Sequence, residues 1–252
     1  MGKAELARAH FLGIPFVAEP PEVVVNYLLG QISHHSAKAV PVHLIPVHAV
    51  AETASDPEFL KALNGEGIVV PDGRWLELLT RKSDKPLRQL RGTDLFERVC
   101  EAGVATGTRH YFLGSSAELL SKLHEGLTSR FPGIVIAGSE PYPFGELTED
   151  EKKAMVERIT EANADVVWFG ISTPRQNKEA LWLSDALGRP VVCVGAALEF
   201  FAGAKKMAPR WVQRAGIEWL YRFASEPRRL WRRYVFGSLT FLRLYLKRTK
   251  SN

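Results

Sequence analysis

The sequence predicts an α/β fold built on a mostly parallel sheet, and three observations carry that expectation. Short runs rich in valine and isoleucine alternate with longer segments whose apolar residues recur every three or four positions, as strands separated by covering helices do. Several of the strand runs end in glycine directly ahead of a helical segment, at Gly114, Gly170 and Gly195. No apolar run approaches the roughly 20 residues needed to span a bilayer, so any membrane contact is expected to be peripheral.

The strand candidates, in order, are 41–47 (PVHLIPV), 67–71 (GIVVP), 109–114 (RHYFLG), 133–138 (GIVIAG), 165–170 (DVVWFG) and 190–195 (PVVCVG). Amphipathic helices are predicted over 20–33, 56–64, 94–103, 116–131, 148–163 and 175–188. In open sheets of this kind ligands collect beyond the carboxyl ends of the strands, where glycine lets backbone come close and helix N-termini offer N–H groups to phosphate. Each of the three glycines reads equally well as a simple tight turn. No GxGxxG opens a first βαβ unit and no GxxxxGK[ST] loop is present, which argues against a standard dinucleotide site or a Walker ATPase.

From about Ala208 the character changes. Segment 208–225 reads as one amphipathic helix, followed by a boundary at Ser225, Glu226 and Pro227 and then a second helix. Between Lys205 and Asn252 there are 13 Lys and Arg against two acids, a net of +11, while the rest of the chain carries 20 against 26, a net of −6. A tail so charged is expected to seek phosphates, on nucleic acid, on anionic lipid or on a phosphorylated substrate. Leu230, Tyr234, Phe241 and Tyr245, with Trp231, Val235 and Leu242 beside them, form an apolar stripe flanked by basic residues, the composition of a helix lying on an anionic bilayer. In one continued helical frame Arg222, Arg229 and Arg232 converge on one side, where three planar forks suit a diphosphate; a solvated basic face is the alternative. The aromatics lie at helical spacing and the body leans acidic, so nucleic-acid binding is not expected.

Cys100 and Cys193 lie far apart with no paired spacing, pointing to neither disulfide nor zinc site and to a reducing cytoplasm. The first twenty residues lack the apolar core and cleavage site of a secretory signal.

Read together, these stretches resemble the WecG/TagA/CpsF family of glycosyltransferases. The matching motifs are FLGIPF near the start, VVPDG at 69–73, RGTDLFERVC at 91–100, YFLGSS at 111–116, FPGIVIAG at 131–138, DVVWFGISTPRQ at 165–176 and the long block at 194–234. The resemblance implies a Rossmann-like, mostly parallel sheet with flanking helices of the GT-E type over 1–207, and a basic helical appendage over 208–252 for membrane association and active-site closure. It implies transfer of a sugar from a UDP donor to a sugar on a polyprenyl diphosphate, without cofactor or metal, at the inner face of the bacterial membrane. A homo-oligomer is possible. Asp72 takes the family's base position, although on its own it reads as a turn aspartate before glycine. Arg222, Arg229 and Arg232 match the arginines that hold the leaving diphosphate, and with no DxD motif they would do the work of a divalent cation. Gln176, Gly195, Glu199 and Asp94 match pocket positions, Asp94 reading equally as a helix N-cap and Gln176 as a surface polar residue at a helix start.

The chain departs from the family pattern at Pro46 and His48, where members carry threonine and asparagine, at Asn177 in place of glutamate, and at Glu199 in place of aspartate. These changes leave the donor open between UDP-N-acetylmannosamine, its uronic acid and a hexose donor such as UDP-glucose. His48, expected on a strand, is either a donor contact or structural.

Overall fold

The computed structural model describes residues 6–33 and 39–250, except the side chains of 214, 229–236 and 248–250. Eight strands form one sheet in the order β1-β2-β4-β3-β8-β7-β5-β6. They are β1 (Arg8–Phe11), β2 (Ile14–Val17), β3 (Val42–Ile45), β4 (Ile68–Pro71), β5 (Arg109–Leu113), β6 (Val135–Glu140), β7 (Val166–Phe169) and β8 (Val191–Cys193). All pairings are parallel except β1 with β2. Strands β3, β4, β7 and β8 are buried along their whole length, which is why they read as apolar runs, broken only by His43 in β3.

The first strand pair is absent from the expected elements. Its strands are four residues each and joined by Leu12 and Gly13 at φ 51° and 80°, a tight turn that needs positive φ twice. Only FLGIP marks it, and Pro15 argues against a strand interior; β2 nevertheless lies between the edge strand β1 and β4, and its register with β4 is a single pair, Phe16 with Val69.

Helices cover both faces. They comprise α1 (Pro21–Ser33), α2 (Val47–Glu52), α3 (Pro57–Asn64), α4 (Arg74–Thr80), α5 (Gly92–Thr106), α6 (Ala117–Arg130), α7 (Glu149–Glu161), α8 (Arg175–Leu187) and α9 (Ala197–Phe201). Their ends are chemically marked: Asp56 and Ser116 cap α3 and α6, Thr148 and Glu151 form a capping box on α7, and Gly107 and Gly188 close α5 and α8 in the left-handed conformation. The expected strand at 41–47 ends at Ile45, and Val47 already opens α2.

The C-terminal segment departs from expectation twice. The single helix expected over 208–225 is two, α10 (Arg210–Ala215) and α11 (Glu218–Ser225), separated by Gly216 at φ 73°. The second helix, α12 (Pro227–Lys250), begins where Pro227 predicts, but Glu226 at φ −136°, ψ 56° breaks the frame before it. Arg222 and Arg229 therefore sit on different helices.

The apolar stripe of α12 is partly occupied by the protein itself. Phe241 is buried beside Phe11 and Tyr245, with ring centroids 6.3 and 6.4 Å away, in a cluster that includes Ile14, Ile45, Val50 and Leu76. The helix runs along α2, and Leu239, Leu242 and Leu246 point outward and are exposed. Phe241→Ala should lower unfolding free energy by about 3 kcal/mol, because it empties a ring-sized space at the seam between tail and body; urea denaturation checks this.

Candidate active site

The strand ends converge on Asp72. It follows β4 directly, and its backbone N–H donates to the Ile45 carbonyl at 3.1 Å, tying the end of β4 to that of β3. Its Oδ1 accepts from the N–H of Gly92, the first residue of α5, at 3.1 Å, so the carboxylate faces the positive end of a helix. Gly92 packs closely against both strands: an added Cβ would touch Leu44 at 3.4 Å and the Val194 carbonyl at 3.5 Å. This close approach draws the ends of β3 and β8 against the base of the same helix.

Burial pushes the Asp72 carboxyl up to about 7, the nearby Arg222 pulls it down, Glu218 pushes it further up, and the Gly92 N–H and Arg91 pull it down. The crowding is by protein atoms on most sides, and the residue still touches solvent. A carboxylate in this range ionises near neutrality and accepts a proton with useful driving force.

The cations around it are fixed. Arg91 gives Asp94 two hydrogen bonds, from Nε at 2.8 Å and Nη2 at 2.5 Å, and lies 3.9 Å from Glu218. Asp94 is thus the third residue of α5 and the anchor of Arg91, while Arg91 itself occupies the N-cap position that Asp94 was open to. Arg222 lies over the Phe200 ring at 4.9 Å with its Nε 3.5 Å from Glu218. That Nε is buried and makes no hydrogen bond. Glu199 pairs with Lys205 at 2.5 Å, and Lys205 reaches Glu226 at 3.1 Å, linking α9 to the junction of α11 and α12.

Gln176 and Gly195 come together, the Gln176 Nε2 standing 3.7 Å from where a Gly195 side chain would begin. Gln176 is 1% exposed, not on the surface; its Nε2 donates to Thr173 Oγ1 at 3.3 Å and its Oε1 is buried without a partner. Its neighbour Asn177 is fully buried and meets His43 Nδ1 at 3.1 Å. Burial pushes His43 down to about 4, so the ring is neutral; the Asn177 amide donates to Nδ1 and leaves the proton on Nε2.

His48 lies in the first turn of α2, not on a strand, with its Cβ 3.4 Å from the position of a Gly237 side chain in α12. It packs beneath the C-terminal helix. Arg229 and Arg232 belong to α12, but their side chains lie outside the described residues. Among the described residues no three His, Cys, Asp or Glu side chains converge in a way that holds a metal ion.

Arg91, Glu218 and Phe200 surround the site without having been singled out by sequence. The one legible signal was the three-residue spacing of Arg91 and Asp94 in RGTD, which places an ion pair on one helix turn.

An α/β sheet with a near-neutral carboxylate at a strand end, flanked by arginines, has the make-up of a group-transfer enzyme acting on phosphorylated substrates. The family model for glycosyl transferases of the WecG/TagA/CpsF type matches residues 9–252, and the chain belongs to that family. It is 25% identical over 224 residues to an N-acetylglucosaminyldiphosphoundecaprenol N-acetyl-beta-D-mannosaminyltransferase of Bacillus subtilis (strain 168), covering 88% of this chain and 85% of the relative. Relatives of the same description from Bacillus spizizenii (27% over 189 residues, 73% and 70% covered) and Staphylococcus aureus strain MW2 (23% over 232 residues, 91% and 89% covered) are also similar.

Asp72→Asn gives a sign-specific stability test. The folded chain keeps a proton on Asp72 up to about pH 7, whereas the unfolded chain releases it near 3.8, so this group's contribution falls as pH rises between those values and is level above. The amide cannot ionise, so the variant should melt higher than the parent at pH 8, with the gap closing toward pH 4. Thermal melts across pH read this directly.

Proposed function

We propose that the chain moves a sugar from a UDP-sugar to a sugar carried on polyprenyl diphosphate, inverting the anomeric centre, in the synthesis of a bacterial cell-surface polysaccharide. The observation that carries this reading is the Asp72 carboxylate, tuned to about 7 at a strand end beside Arg222 and Arg91. Asp72 accepts the proton of the acceptor hydroxyl as its oxygen attacks the anomeric carbon. The bond from that carbon to the UDP oxygen breaks, and its electron pair leaves on the diphosphate. Charge gathering on the leaving group is met by Arg222, and by Arg229 and Arg232 from α12. Gln176, Gly195, Glu199, Asp94 and His48 line or brace the pocket.

The curated relatives are named for N-acetylmannosamine transfer to an N-acetylglucosaminyl diphosphoundecaprenol. That supports a polyprenyl-linked acceptor here, while Pro46, His48, Asn177 and Glu199 keep UDP-N-acetylmannosamine, its uronic acid and a hexose donor all in contention. At the position that carries glutamate in the family, the Asn177 amide nitrogen is held by His43, while its Oδ1 is buried without a hydrogen-bond partner.

The segment from 208 acts as an appendage that closes the site and rests on the cytoplasmic face of the membrane. No helix among the described residues is long and apolar enough to cross a bilayer. The exposed Leu239, Leu242 and Leu246 supply one apolar edge for peripheral contact.

UDP release from a panel of UDP-sugars, with a polyprenyl-diphosphate-linked sugar in lipid, tests the reading: one donor should support acceptor-dependent release, and Asp72→Ala should abolish it. Release that survives Asp72→Ala would remove the base. Arg222→Gln should cut kcat by about a hundredfold. It should also move the acidic limb of the pH–rate profile to higher pH, because Arg222 holds the Asp72 pKa down.

A further inference from the structure

A recess of about 330 Å³ opens between α4, the segment leading into α5, and α10. Its walls are Arg74, Gln89, Arg91, Arg210 and Gln213: three guanidiniums, two amides and no carboxylate. Arg74 is the first residue of α4, and Arg210 and Gln213 stand one turn apart on α10.

Three acids stand behind these walls, one of them Glu218, 3.9 Å from Arg91. Glu77 pairs with Arg74 at 3.3 Å and accepts the Gln89 backbone N–H at 3.2 Å, while Asp94 takes two hydrogen bonds from Arg91. These contacts orient the guanidiniums and leave donors over, since each fork carries five. The left-handed Gly216 makes room for the stem of Arg74: a Cβ there would lie 2.9 Å from its Cγ.

Beside the recess the surface turns apolar and basic at once. Trp75 and Leu78 of α4 and Trp211 of α10 are exposed, Trp211 at 67%. Arg81, Lys82, Lys85 and Arg88, with Asp84 among them, follow on the exposed loop at the other end of α4 from Arg74. Indole and leucine beside arginine and lysine suit the boundary of an anionic bilayer.

We propose that this recess is a second diphosphate site, and that it takes the diphosphate linking the acceptor sugar to its lipid carrier. The proposal rests on the transferase reading, in which two diphosphates must be held at once: the donor's, which leaves, and the acceptor's, which stays joined to lipid. Arg222 serves the first. The recess serves the second because its rim offers the apolar surface that a lipid-tethered anion brings with it, and a nucleotide does not. Arg91 belongs to both settings, acting on the Asp72 charge and lining the recess, so an acceptor sugar extending from the recess is directed toward the base.

Titration of the full chain with farnesyl diphosphate, followed by tryptophan fluorescence, tests this beside parallel titrations with UDP and with phosphatidylglycerol vesicles. Arg210→Gln and Arg74→Gln should each weaken farnesyl diphosphate about tenfold and change UDP affinity less than about twofold. An equal loss for UDP would return the recess to the donor. A loss seen only with phosphatidylglycerol vesicles would make it a lipid-headgroup site. No saturable binding by the parent chain, or unchanged binding by both variants, would remove it as a diphosphate site. The readout is binding and not transfer, so a failed donor panel would sink the proposed reaction while leaving this outcome to be read separately.

Discussion

A carboxylate crowded by protein at the end of β4 is the constraint around which the rest of this molecule is arranged. Placing that charge among protein atoms is unfavourable, and the chain answers with one helix-end amide and two guanidiniums. The amide and Arg91 come from the start of α5, and Arg222 comes from α11, more than a hundred residues further on. Arg222 can reach the carboxylate only when α11 is laid against the body, and α11 is held there by Lys205, which joins Glu199 to Glu226, and by the seating of α12. The crowded charge of Asp72 thus helps to specify how the tail folds back.

That arrangement separates two kinds of arginine. Those that act on Asp72 are stacked or paired and have lost their freedom before any substrate arrives, which lowers the entropy lost when a phosphate is bound. Arg228, Arg243 and Lys247 of α12, and Arg81, Lys82, Lys85 and Arg88 of the loop after α4, are exposed, where salt screens them. A basic tail is therefore not one device. Some of its charge is held in ion pairs and ring contacts, and some is open to solvent.

The sequence carried the sheet well because β3, β4, β7 and β8 are buried along their length and read as apolar runs, with His43 the one polar interruption. It carried Asp72 and Arg222 through motif, and the boundary at Pro227 through the chemistry of proline. It did not carry what depends on distance in space. Spacing on α12 shows that a stripe exists but not what covers it, and Phe241 and Tyr245 turn out to face the first hairpin. Spacing across 208–225 suits one helix until Gly216 takes positive φ as the cap of α10, where a Cβ would also crowd Arg74, a residue 142 positions away. The pairing of Asn177 with His43, likewise, joins residues that no local pattern relates.

Gly237 gives the C-terminal helix a fulcrum. Without a side chain there, α12 rests directly on His48, and Pro227 lies ten residues, or about 15 Å, along the helix from that point of rest. A bulkier residue at 237 would tilt the helix as a lever is tilted by a stone beneath it. The long arm would swing the junction with α11, and with it Arg222, while the body of the enzyme stayed still. The reach of the arginine is in this sense set by an atom that a neighbouring helix lacks.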